Sequence, residues 1–202
     1  MSIAPKTRFT EPEYLALAEA SEEKLEYVNG EVLSMAGGSL AHNQLAMNTA
    51  GALWGALRGK PCRPLGSDQR VHVPATGLWV YPDVLVVCGK PDLSPGRDDS
   101  IVNPAVVFEV LSPRTERYDR GAKFAHYQRI PTLRDYLLVA QDARRVEHYQ
   151  RVTGDRWEFR HVHGSDPLPL EALGVTLSLD DIYEGVELPA PWSLDPATRY
   201  PE

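Results

Sequence analysis

Two acids sit where an acid is costly. Asp83 opens the apolar run YPDVLVV at 81–87, and Glu109 lies inside PAVVFEVLS at 104–112. An ionised carboxylate does not belong in a core strand unless a partner or a ligand holds it. If the two runs are neighbouring strands, both side chains converge at one end of a sheet. Oxygen donors gathered in this way suit a hard divalent cation, Mg²⁺ or Mn²⁺, and the backbone carbonyl of Val110 offers a third donor. The plainer alternative has both acids held by arginines or backbone amides, with Pro82-Asp83 merely starting a strand.

The segment TERYDRGAKFAHY at 115–127 supplies a cation. Read as a helix, it sets Asp119, Lys123 and Tyr127 four residues apart on one face. Aimed at the strand ends, Lys123 would orient an attacking water or stabilise charge on a phosphate. Aimed at solvent, Asp119 and Lys123 form a surface pair worth about 0.3–0.5 kcal/mol. Arg114, Arg117, Arg120 and Arg129 surround Lys123 and would attract phosphates locally, although Glu116 and Asp119 dilute them. His42 falls in the first turn of another predicted helix. It would contact phosphate or position water, or simply hydrogen-bond to the preceding hairpin. His161 and His163 alternate in HVH and make at most a weak metal pair.

The elements that must position these groups follow from local signals. Thr10, with Glu13 three residues on and Pro12 in the first turn, predicts a helix start. Its predicted apolar stripe is Tyr14, Leu15, Leu17 and Ala18. Asn29-Gly30 inside KLEYVNGEVLSMAG predicts a hairpin, because both residues tolerate positive φ. Ser39 predicts the cap of a long helix with Leu40, Leu45, Ala46, Thr49, Leu53, Trp54 and Leu57 on its apolar side, ended by Gly59 and Pro61. Strands are predicted in RPLGSDQRVHVP, LWVYPDVLVV, AVVFEVLS, DYLLVA, RRVEHYQRV, WEFRHVH and GVTLSL. The helix between AVVFEVLS and DYLLVA predicts a crossover joining parallel strands. The order implies one α/β or α+β domain on a mixed sheet, with a core over about 10–180 and a proline-rich tail over about 185–202.

The 202 residues suffice for one domain with a sizeable core. A net charge of −7 counts against a protein that coats nucleic acid through bulk positive charge. It leaves room for a locally basic cleft, and it suits a site that concentrates carboxylates. No apolar run is long enough for a membrane helix. The N-terminal MSIAPKTRFTEPEY has no apolar signal core, so a cytoplasmic location is expected. Cys62 and Cys88 then read as two free thiols.

Pro82-Asp83, Glu109 on the next strand and a following lysine resemble the PD-(D/E)XK nuclease superfamily. Its usual lysine stands two residues after the second acid, where this chain has Leu111. Within the superfamily the chain is similar to the Uma family of restriction-endonuclease-like proteins, through LEYVNGEVLSM, SLAHNQL, YPDVLVV, PAVVFEVLSPRT, DRGAKFAHY and DYLLV, in that order from about Thr10 to Val139. The resemblance implies a Mg²⁺- or Mn²⁺-dependent endonuclease acting on DNA, with a nuclease-like core of mixed sheet flanked by helices and an N-terminal helix-hairpin. It implies Asp83 and Glu109 as metal ligands and Lys123 as a catalytic lysine supplied from the helix. Glu31 would complete the metal shell, with Glu26 its rival on the same hairpin. The alternative it leaves is a nuclease fold that binds or assembles without cutting. A homodimer, through the strands after Gln141 or the apolar residues of the tail, would help to cut both strands of a duplex.

Overall fold

The computed structural model describes residues 8–35 and 37–189. Helix α1 spans Glu11–Ala20, and the Glu13 carboxylate accepts the Thr10 backbone N–H at 2.8 Å, so the predicted capping box forms. Of its predicted stripe only Tyr14 is buried, and Leu17 is exposed. The Asn29-Gly30 hairpin forms as predicted between β1 (Leu25–Val28) and β2 (Glu31–Ser34), with φ of 49° and 90° at the turn. Helix α2 spans Leu40–Ala56, and the Ser39 hydroxyl caps it by accepting the His42 N–H. Its buried residues are Leu45, Thr49 and Leu53. Leu40 and Trp54, expected on the apolar side, are exposed.

The remaining strands are β3 (Cys62–Gly66), β4 (Arg70–Val73), β5 (Leu78–Val80), β6 (Val84–Cys88), β7 (Ser100–Ile101), β8 (Val106–Val110), β9 (Asp135–Val139), β10 (Arg145–Thr153), β11 (Arg156–His163), β12 (Pro167–Leu170) and β13 (Val175–Ser178). They form a five-stranded sheet in the order β2-β1-β5-β4-β7, a six-stranded sheet in the order β11-β10-β9-β8-β6-β3, and the pair β12-β13. The larger sheet is mixed. β8 and β9 are parallel and are joined through the predicted crossover helix, while β6 runs antiparallel to β8.

Layering explains the continuous apolar runs. Val106, Phe108, Val110, Leu137 and Val139 pack into one cluster with Leu45 and Leu53 of α2. Val107, Leu111, Tyr136 and Leu138 pack into a second with Tyr127 of the crossover helix and Val71, Leu78 and Val80 of the smaller sheet. β6, β8 and β9 are thus buried on both faces, as near-continuous hydrophobic strands must be.

The structure corrects the reading of the cysteines. Cys62 and Cys88 face each other across β3 and β6 and form a disulfide. They are 26 positions apart in sequence, and only the antiparallel register of non-consecutive strands makes them neighbours. Closing a loop of that length should stabilise the fold by about 3 kcal/mol. Reduction is therefore expected to lower the midpoint of chemical denaturation and to release two titratable thiols. Two thiols already titratable in the untreated folded protein would contradict the pairing.

Candidate active site

The face to which Glu109 belongs decides its partners. Side chains alternate along β8, so Glu109 points with Val107 and Leu111 toward the crossover helix. Continuing the β6–β8 register one step beyond Val84↔Phe108 sets Asp83 opposite Glu109. One step further, Pro82 opposes Val110. Proline has no N–H to offer the Val110 carbonyl, and the Val110 N–H is taken by Asp83 Oδ2 at 2.7 Å. The Pro-Asp pair thus halts the ladder and brings a carboxylate to its end.

Lys123 arrives from the other side. The 116–127 segment is helical, with α-helical pieces at Glu116–Tyr118 and Phe124–Tyr127 around a π-helical turn at Asp119–Lys123. Such turns recur at functional sites. Asp119 and Lys123 are buried, so they are not the surface pair that their spacing alone allows. Lys123 Nζ lies 2.8 Å from Glu109 Oε1 and 3.6 Å from Asp119 Oδ1. The Tyr127 hydroxyl donates to the same Glu109 oxygen at 2.9 Å. The Tyr136 hydroxyl donates to the Asp119 backbone carbonyl at 3.0 Å. The far end of the helix is clamped by Arg151, whose guanidinium donates to the carbonyls of Gln128, Ile130 and Leu133. These carbonyls follow the last helical turn, where acceptors lack intrahelical partners.

His42 borders the cluster, with Nε2 3.4 Å from Asp83 Oδ2. A Cβ on Gly38 would come within 2.8 Å of His42 Nδ1, so glycine is what leaves room for the ring. The Ser39 hydroxyl donates to Gln141 Oε1 at 2.7 Å, and Gln141 Nε2 donates to the Leu111 carbonyl at 2.6 Å. The start of α2 is thereby tied to the end of β8.

The acid from the hairpin is Glu26. Its Oε1 accepts the Tyr81 N–H at 3.0 Å, just before Pro82-Asp83, and its charge acts on Lys123 and Tyr127. Glu31 is exposed, opposite Val28 on the sheet's edge strand, and joins none of these contacts. The difference is topological. β1 lies against β5, which leads into Tyr81, while β2 is one strand further out. Leu111, at the usual lysine position, is buried in the apolar cluster. Arg120 is engaged by Glu147 and Glu116, whereas Arg114, Arg117 and Arg129 are exposed.

Charge in this pocket is unbalanced. Glu109 and Asp119 contact Lys123, Glu26 acts on it through its charge, and Asp83 adjoins Glu109. Burial pushes the Glu109 carboxyl up to about 8 against the pull of Lys123, and Asp83 and Asp119 add to the push. Burial also raises Asp119. For Lys123 burial opposes the charge, but Glu109 foremost, then Glu26, Tyr127 and Asp119, hold the ammonium well above its ordinary value. The bond to Asp83 raises His42. Among the described residues no group of three or more His, Cys, Asp or Glu side chains forms a ready metal cluster. The oxygen donors that the β6–β8 register brings side by side are the carboxylates of Asp83 and Glu109, with the Val110 backbone next to them. Asp83 Oδ1 and Glu109 Oε2 accept no hydrogen bond from the described residues. All are hard oxygens next to surplus negative charge, and they fit a divalent cation that keeps several waters.

This chain belongs to the family described as "Uma2: Putative restriction endonuclease", which it matches over residues 11–182. Two uncharacterized Synechocystis proteins are similar to it along most of their length. One, slr1290, is 34% identical over 183 residues, covering 91% of this chain and 95% of that protein. The other, sll1609, is 33% identical over 166 residues, covering 82% and 94%. The fold resembles a crystal structure of a putative nuclease belonging to DUF820 from Anabaena variabilis, with a TM-score of 0.69 and 17% identity over 87% of this chain and 97% of that one. The expected nuclease-like fold is thus borne out. No helix among the described residues is long and apolar enough to cross a membrane.

The Glu109 shift sets a pH dependence. A carboxyl raised from 4.5 to about 8 favours the protonated folded form. Its contribution is full below pH 4.5 and is lost as pH rises through about 8. In EDTA, the melting temperature of Glu109→Gln relative to that of the wild type should therefore rise as pH goes from 5 to 9. A difference that falls with rising pH would refute this sign.

Proposed function

We propose that the protein is a divalent-metal-dependent endonuclease that hydrolyses phosphodiester bonds in DNA. The observation that carries the reading is Lys123 Nζ, delivered by a helix into the acid pair that Pro82-Asp83 and β8 assemble. It supplies the cation that the strand lacks at Leu111. Asp83, Glu109 and the Val110 carbonyl would hold Mg²⁺ or Mn²⁺. A bound cation of this type lowers the pKa of its water and offsets charge on the scissile phosphate.

The chain's own residues account for the rest. Lys123 is oriented by Glu109 and Asp119, and its remaining protons can reach a phosphate oxygen or the attacking water. Positioned charge of this kind acts strongly where water is excluded. Tyr127 holds Glu109 in place, leaving the other carboxylate oxygen for a ligand. His42 orients Asp83 and is the group nearest to an approaching phosphate on that side. Glu26 fixes the backbone at Tyr81, a supporting role that takes the place of the one expected of Glu31. The described segment supplies no separate domain for reading a base sequence.

Purified protein incubated with double- and single-stranded DNA in Mn²⁺ should nick or cut it. Asp83→Asn and Lys123→Met should each lower the rate by about 10²-fold or more, with circular dichroism unchanged. Equal cleavage by all three proteins would remove these residues from the site. No cleavage, with Mn²⁺ binding that still depends on Glu109, would favour the non-cutting binding module.

Charge reversal near Lys123 gives an independent check. Arg114→Glu and Arg117→Glu should weaken DNA binding and flatten its salt dependence without changing Mn²⁺ affinity, since each phosphate contact adds to the salt slope. Unaltered salt dependence would place the DNA path elsewhere.

A further inference from the structure

We propose that the exposed face of α2 is the interface through which two copies of this chain form a twofold dimer. Leu40, Met47 and Trp54 lie on that face at seven-residue intervals and are 75%, 65% and 58% exposed. These are large apolar side chains that nothing among the described residues covers. From Leu40 to Ala56 the helix contains no Asp, Glu, Lys or Arg. Most surfaces of a chain with a net charge of −7 repel a second copy. The helix itself carries none of that charge, and the nearest cations, Arg58 and Arg63, lie at its C-terminal end beside a cavity.

Two glycines point the same way. Gly51 and Gly55 are exposed on this helix, and a Cβ at either would meet no atom within 4 Å. Glycine weakens a helix interior relative to alanine, and nothing inside this chain requires its absence of a side chain here. Close approach of another backbone is what glycine permits.

The face is also complementary to itself. Its three large residues are symmetric about Met47. An antiparallel twofold pairing would set Met47 against its own copy and Leu40 of one chain beside Trp54 of the other. Beside Trp54 opens a cavity of ≈ 300 Å³, lined also by Leu57, Arg58, Gly59, Cys62, Arg63 and Pro64. Leu40 is the protruding side chain at the matching distance, about 21 Å along the helix. One patch that carries both the knob and the hole is what an isologous interface needs. This assigns the homodimer to α2, rather than to the strands after Gln141 or to the tail, whose residues 190–202 lie outside the described chain.

Light scattering after gel filtration should give a dimer mass for the full-length wild type and half that mass for Met47→Glu. The variant's circular dichroism should be unchanged, because the residue is exposed, while its melting temperature should lose the concentration dependence that a dimeric wild type shows. Met47→Cys should form a disulfide-linked dimer in air, since the new thiol faces its own copy, while the wild type forms none. A monomeric wild type at micromolar concentration would overturn the proposal and leave the face to residues 190–202 or to a different protein. So would a Met47→Glu variant that stays dimeric, or a dimeric Met47→Cys protein that fails to cross-link.

Discussion

One ammonium enclosed by carboxylates constrains this whole molecule. Lys123 lies between Glu109 and Asp119 with almost no contact with water. Taking such charges out of water costs several kcal/mol for each, and good geometry with further hydrogen bonds has to repay it. The hydroxyls of Tyr127 and Tyr136 are part of that repayment. The helix passes through a π-helical turn between Asp119 and Lys123, the two residues that face inward. Folding accepts this cost although a well-packed apolar cluster of equal volume would often be as stable or more so. Removing either partner alone would leave the other charge buried and unpaired, at a cost of about 3–5 kcal/mol.

The same logic explains why some of the site was legible in the sequence. Asp83 and Glu109 stand out because their neighbours are apolar, and a charge in such a run contradicts the pattern around it. The Asn29-Gly30 turn, the Thr10 and Ser39 caps and the crossover between β8 and β9 are local signals, and each formed where the residues indicated. What could not be read depends on which strands become neighbours. That Glu26 rather than Glu31 reaches the Tyr81 N–H follows from β1 lying beside β5, a pairing across about 50 residues. The Cys62–Cys88 bond depends on β3 joining β6 on the sheet's edge. The spacing of Asp119 and Lys123 was equally consistent with a solvent-facing salt bridge, and only the position of the helix over β8 and β9 decided between the two.

Helix α2 shows the limit of periodicity in another way. Its sequence repeats apolar residues on more than one side, so a single inward stripe could not be separated from an outward one. Leu45, Thr49 and Leu53 cover the six-stranded sheet, while Leu40 and Trp54 stand clear of it. The helix is thus bound on its inner face and at its start, where Ser39 and Gln141 couple it to the end of β8. Whatever occupies its outer face is mechanically linked to the turn that carries His42.

Arg151 extends this dependence to a remote place. Its guanidinium grips three carbonyls just beyond the helix that carries Lys123, and a fourth, of Gly154, in its own hairpin. The reach of the lysine is therefore indexed from a hairpin at the opposite end of that helix. Drift in the β10–β11 turn would be transmitted as a rotation of the helix and a change in the aim of the amine. In this architecture a hairpin at the far end of the helix acts as the set-screw for the position of Lys123.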